Sequence, residues 1–112
     1  MFDLSSINEA KKKIQISQEK KEGDFNKILD DAIKLLQQFL ETNNILDLKK
    51  SASMFFEAIK CKRSNVEPYF YLSYIFYIFD ENKLALEYFK TAESIDPKYS
   101  HLESLRKILS QG

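Results

Sequence analysis

Apolar residues recur at helical spacing along almost the whole chain, and no alternating strand pattern competes with them. Ser6-Ile7-Asn8-Glu9 has the form of a capping box and predicts a helix from Ile7 to Glu22, stopped at Gly23. Its apolar stripe is thin: Ile7, Ala10 and Ile14, with Ile16 on the far side. Such a helix is marginal alone. Asp24 is placed to cap a second helix to Thr42, with Ile28, Leu29, Ala32, Ile33, Leu35, Leu36, Phe39 and Leu40 apolar. Asp31, Lys34, Gln38 and Glu41 form the polar stripe opposite. Asn43-Asn44 breaks that helix. Asp47 is the expected cap of a third, running to Lys62 with Ala52, Phe55, Phe56 and Ile59 inward. Ser64-Asn65 reads as loop and cap, and Pro68 falls in the first turn of the next helix, where its missing N–H costs little. Asp80-Glu81-Asn82 reads as a turn before a helix from Lys83 to Ile95. Asp96-Pro97 is the expected start of a last helix, Lys98 to Ser110, carrying Leu102, Leu105, Ile108 and Leu109.

The fourth of these helices has an unusual composition. Seven of the twelve residues from Pro68 to Phe79 are aromatic. Its apolar run, Tyr69–Phe79, is well short of the roughly 18 residues a membrane-spanning helix needs. No transmembrane segment is expected.

Composition narrows the class. At 112 residues the chain has room for one domain with a small core. It is 30% charged and 44% hydrophobic with zero formal net charge. That balance argues against nucleic acid as a partner, which favours a basic domain. Lys outnumbers Arg heavily, which points to an AT-rich, bacterial genome. With one cysteine, Cys61, no disulfide forms within the chain, and the start MFDLSSINEAKKK is unlike a secretory signal. A cytoplasmic location is expected.

Ser51, Phe55 and Ala58 recur as Ala85, Phe89 and Ala92 at a step of 34 residues. That step is the period of the tetratricopeptide repeat, whose pattern is W-x₂-L-G-x₂-Y, then A-x₃-F, then a later P. Tyr69-x₂-Leu72-Ser73-x₂-Phe76, then Ala85-x₃-Phe89-x₂-Ala92 and Pro97, resembles that repeat over residues 66–99, with Tyr for Trp, Ser for Gly and Phe for Tyr. Residues 31–64 resemble a weaker copy. Ile33, Leu36, Gln37 and Leu40 take the matching roles if the loop around Asn43–Asp47 is two residues longer, and Arg63 stands where the Pro would be. The resemblance implies an all-α solenoid of about two helix pairs over residues 24–112. Residues 1–23 would be an N-terminal helix that caps one end or shields the groove, and the last helix would cap the other end.

In the resemblance, the first helix of each pair lines a concave surface. With Tyr69, Leu72, Ile75, Phe76 and Phe79 in the core, Phe70, Tyr74 and Tyr77 remain as one stripe, bordered by Tyr99. The corresponding face of the previous pair is Asp31, Lys34, Gln38 and Glu41, which predicts a groove half polar and half aromatic. Each ring carries roughly 150–250 Å², so three together reach the scale of a monomer's largest apolar patch. Something should cover them: a partner, a second copy, or the chain's own N-terminal helix. The plain alternatives are that the rings pack inside the domain and that the polar stripe is a solvated face. Some family members hold a C-terminal carboxylate with Lys and Asn. Lys34 and Gln38 match half of that arrangement, but Phe70 and Tyr74 cannot hold a carboxylate by charge. An apolar extended peptide or an amphipathic helix suits the groove better.

Catalytic chemistry is not indicated. His101 and Cys61 are single, too few for a structural zinc site, and nothing brings them together. Cys61 reads as a core residue and His101 as a surface residue in the first turn of the last helix. There is no glycine-rich phosphate loop and no H-E-x-x-H. No cofactor or metal is expected, nor enzyme activity. The lysines at 11–13 and 20–21 alternate with Glu9, Glu19 and Glu22 and read as a solvated face, since a membrane-surface helix wants large apolar residues beside them. The expectation is a protein-binding adaptor, scaffold or chaperone-like subunit. The alternative is a homodimer formed through the aromatic stripe or an exposed end helix.

Overall fold

A computed structural model of the chain describes residues 24–111. The expected helix over residues 7–22 and the segment 1–23 lie outside the described residues. Every regular element among the described residues is an α-helix. α1 occupies residues 24–42, α2 Ile45–Cys61, α3 Val66–Ile78, α4 Asn82–Ile95 and α5 Leu102–Gln111.

α1 buries Phe25, Leu29, Ala32 and Leu36, an i, i+4, i+7, i+11 seam that fixes which face meets α2. Asp24 is already helical, so it is not the cap the sequence suggested. Asn43 ends the helix in the left-handed region at φ 60°, where Asn is tolerated better than most residues. Its N–H donates to the Phe39 carbonyl at 2.7 Å. Asn44 then caps α2: its side chain accepts from the Leu46 N–H at 3.0 Å. The cap is therefore Asn44, not the expected Asp47, which sits in the first turn, where a carboxylate suits the helix dipole.

α2 buries Leu48, Ser51, Phe55 and Ala58. Of the four residues expected inward, Phe55 is fully buried, Ala52 and Ile59 are half-buried, and Phe56 is on the surface at 37% exposure. The tighter stripe through Ser51 and Ala58 faces α1 and α3 because small residues allow the closer approach, which turns Phe56 outward against Phe76 and Tyr88. Asn65 caps α3, as the sequence suggested, accepting from the Glu67 N–H at 2.9 Å.

α3 is the central helix. No residue from Val66 to Phe79 is exposed. A helix apolar all round must be enclosed by neighbours, and α2, α4 and α5 pack against it while α1 shares its core. It ends in a Schellman motif. Glu81 N–H donates to the Phe76 carbonyl at 2.8 Å and Asp80 N–H to the Tyr77 carbonyl at 3.0 Å, with Asp80 at φ 64°.

Two buried contacts set the pairing of helices. Ser73 of α3 donates its hydroxyl to the Ala85 carbonyl of α4 at 2.6 Å, across 12 residues of sequence. Ser51 of α2 donates to the Ala32 carbonyl of α1 at 2.7 Å, across 19. The first hairpin therefore closes with seven more residues between its contact points, not two more. Ala32, rather than Gln37, is the small residue of α1 at the contact.

The core has two parts. One joins α1, α2 and α3 around Leu36, Phe55, Leu72 and Ile75. The other joins α4 and α5 to the start of α3 around Val66, Phe89, Leu102 and Leu105. α5 begins at Leu102, not Lys98. Asp96 Oδ1 accepts from the Lys98 N–H at 3.1 Å, and the Tyr99 N–H turns back to the Asp96 carbonyl at 3.1 Å, so residues 97–101 form turns instead of a first helical turn. Arg106 fastens α5 to α4. It pairs with Glu93 of α4 and, at 2.6 Å, with Glu103, and its guanidinium lies 5.5 Å from the Phe89 ring centre.

Candidate binding cleft

Three helices that do not follow one another in sequence leave a cleft of about 340 Å³ between them. α1 supplies Ile33, Leu36, Gln37 and Leu40, spaced i, i+3, i+4, i+7 along one edge. α3 supplies Phe70, Tyr71 and Tyr74. α5 supplies Ser104, Leu105 and Ile108. Among the described residues no charged side chain lines the cleft. Its polar groups are the Gln37 amide, the two tyrosine phenols and the Ser104 hydroxyl. A site of this kind recognises apolar side chains and offers a few hydrogen bonds for orientation.

The rings are held from behind. Tyr71 stacks on the buried Phe55 ring, with centroids 5.1 Å apart and planes 15° apart. Phe70 meets Tyr71 edge-on at 5.1 Å and Tyr99 edge-on at 5.4 Å. His101 completes this group 5.8 Å from Phe70; it is exposed, as expected, but lies in the turn before α5. Tyr74 packs against both core clusters. Burial pushes the Tyr99 phenol up to about 12, with the charges of Tyr71, Glu67 and Asp96 adding to it. Burial likewise raises Tyr71, helped by Glu67. Both phenols stay neutral donors at physiological pH.

The structure brings together some of the residues singled out in the sequence. Phe70 and Tyr74 line the cleft, and Tyr99 buttresses Phe70 from outside it. Tyr77 is half-buried and is not among the lining residues. Lys34, Gln38 and Glu41 are exposed and Asp31 is half-buried, all outside the lining. The reason is the rotation of α1. With Ala32 and Leu36 turned inward, the stripe Asp31, Lys34, Gln38, Glu41 points away, and the edge between core and stripe faces the cleft. The lining is thus without charge, where the sequence predicted a half-polar groove.

Of the cleft lining only Phe70 and Tyr74 were expected at the site; the α1 edge Ile33, Leu36, Gln37 and Leu40, together with Tyr71, Ser104, Leu105 and Ile108, were not. The amphipathic stripe of α5 was visible, but nothing in it says which flank of α3 it covers. Cys61 is half-buried against the first core cluster. Among the described residues no group of three or more His, Cys, Asp or Glu is placed to hold a metal, and no helix is long and apolar enough to cross a membrane. No family model, no curated protein and no solved structure matches the chain.

Proposed function

We propose that the chain is a protein–protein interaction module of two tetratricopeptide-like helix pairs, α1–α2 and α3–α4, with α5 as the capping helix. It binds an apolar segment of a partner protein, as a short helix or an extended peptide, between α1, α3 and α5. The observation that carries this reading is the uncharged cleft, floored by rings that the core holds rigid. Rigid aromatic anchors bind at low entropic cost. The repeat reading is supported by the step of 34 residues, because Ser51, Phe55 and Ala58 and their counterparts Ala85, Phe89 and Ala92 are all buried. The role is that of an adaptor, scaffold or chaperone-like subunit without catalysis, nucleic acid or cofactor. The proposed compartment is the cytoplasm, since a single cysteine forms no disulfide within the chain.

The test is site-specific photocrosslinking in cells of the source organism. A benzophenone amino acid at Gln37, inside the cleft, should trap a discrete partner. The same group at Lys49, exposed on α2, should not. Equal trapping at both positions, or none at Gln37, removes the cleft as the binding site.

Self-association is a second reading, favoured by a different observation. Leu40, Ile45 and Leu46 are 52%, 45% and 60% exposed and lie together at the α1–α2 turn. A second copy would cover them. Sedimentation across a wide concentration range tests this: a mass that stays monomeric at high concentration rules it out.

A further inference from the structure

We propose that the cleft also binds a neutral, flat, largely apolar small molecule carrying one hydrogen-bonding group, and that this ligand and the partner segment exclude one another. The exclusion rests on the reading of the cleft as the partner's site; the binding of the ligand stands on the cleft alone.

Depth and size carry the argument. The walls run from Leu36 and Leu105, 4% and 2% exposed, up to Leu40, 52% exposed. Gln37 on α1 and Ser104 on α5 stand exposed beside that mouth. A shallow docking face would be half-exposed throughout, whereas this site has a buried base and an open top. Its volume, about 340 Å³, falls in the range of sites that enclose small ligands, roughly 300–1,000 Å³. The hollow between α4 and α5, lined by Leu86, Phe89 and Leu109, holds about 150 Å³ and falls below it.

The chemistry narrows the ligand. The α3 wall is aromatic, with Phe70 braced by Tyr99 and Tyr71 by Phe55, so a flat ring system meets a preformed surface. Gln37, Ser104 and the phenols of Tyr71 and Tyr74 give every wall a neutral group that both donates and accepts. Together they suit a single hydroxyl, amide or arylamine. Burial raises the Tyr71 phenol, which keeps it a donor. Among the described residues the lining carries no charge, so an ionised ligand would give up water without gaining a counter-ion. A neutral molecule of the same shape escapes that cost.

A matched pair of probes tests this on the full chain. N-phenylnaphthylamine is neutral, and anilinonaphthalene sulfonate is the same ring system with one sulfonate added. Each is titrated and followed by its fluorescence. The neutral probe should saturate at one site per chain, and the sulfonate should bind at least about tenfold more weakly. Ser104→Trp fills the mouth, and Gln37→Glu places a carboxylate in it. Both positions are exposed, so the thermal midpoint should hold while affinity for the neutral probe falls at least about tenfold. Leu86→Asp, in the α4–α5 hollow, should leave that affinity unchanged. Equal affinities for the two probes, binding that survives Ser104→Trp, binding lost with Leu86→Asp, or no binding of the neutral probe overturns the proposal. The partner trapped at Gln37 should in turn bind at least about tenfold more weakly when the neutral probe is about ten times above its own Kd. Undiminished partner binding overturns the exclusion. The two readings fail separately. A partner trapped at Gln37 with no probe bound removes the small molecule and keeps the partner, and a bound probe with nothing trapped does the reverse.

Discussion

The hydroxyl of Ser73 reaches the carbonyl of Ala85 at 2.6 Å, and both residues are fully buried between α3 and α4. Any larger side chain at position 73 has to push the two helices apart. Ser73→Ala should cost about 1 kcal/mol, the net value of one hydrogen bond. Ser73→Leu should cost about 1–3 kcal/mol by overpacking. Urea denaturation followed by circular dichroism checks both. Equal stability of Ser73→Leu and Ser73→Ala would show that the helices have slack there.

Asp80 holds a left-handed backbone, φ 64°, in the motif that ends α3. For most residues with a Cβ that conformation costs about 1–2 kcal/mol, and for Asp less, because its short polar side chain can bond locally. Asp80→Gly should therefore raise the thermal midpoint, and Asp80→Val should lower it. An unchanged midpoint for both would mean that the turn relaxes freely.

Binding and stability separate along the cleft. Tyr74 packs against both core clusters, so Tyr74→Lys should weaken partner binding and also destabilise the fold by about 1–3 kcal/mol. Leu40 lines the same cleft but is 52% exposed. Leu40→Asp should therefore reduce binding while changing stability by no more than about 0.5 kcal/mol, the usual range for surface sites. Isothermal titration with the partner trapped at Gln37, beside urea denaturation, distinguishes the two effects.

Alkaline pH should weaken the fold through Tyr99. Its phenol ionises near 10.0 in the unfolded chain and at about 12 in the folded one. Below pH 10 both states keep the proton, and that stability is fully present. Between these values the unfolded chain releases the proton first, so stability falls as pH rises through the window. Tyr71 and Tyr88, also raised by burial, add to the same slope. Tyr99→Phe should flatten part of it, as read from denaturation midpoints at pH 9 to 12. An unchanged slope would show that Tyr99 is not the group responsible.

What the sequence could tell divides along physical lines. Part of the local chemistry was readable, though Asp24 and Asp47 are not the caps expected. Asn43-Asn44 ends one helix, Asn65 begins another, and Asp80 turns the chain, because each acts on backbone within a few residues. The enclosure of α3 was not settled by its composition: the rings Phe70, Tyr74 and Tyr77 were expected to stand free as a stripe, with packing inside the domain as the alternative, and all three are half-buried. Nor was the rotation of α1 readable, since its apolar arc is wide enough for Ala32 or Gln37 to meet α2, and Ser51, 19 residues away, decides between them. The start of α5 was missed for a local reason instead. Asp96 spends its side chain on an Asx turn with the Lys98 N–H, and the turns that follow place Tyr99 against Phe70. The half-polar groove expected at the site followed from the misjudged rotation of α1, not from a misjudged residue type.

The unequal separations, 19 residues in one hairpin and 12 in the other, also bear on how the domain could be re-engineered. The seven extra residues amount to about two helical turns, shared between the end of α1 and the start of α2. They carry Leu40, the outer lip of the cleft. A duplicate of α3–α4 grafted in place of α1–α2 would stack on the remainder yet stop short of that lip. The two hairpins are thus not interchangeable modules: shortening the longer one would strip the cleft of its Leu40 lip and leave Ile33, Leu36 and Gln37 as the whole of its α1 wall.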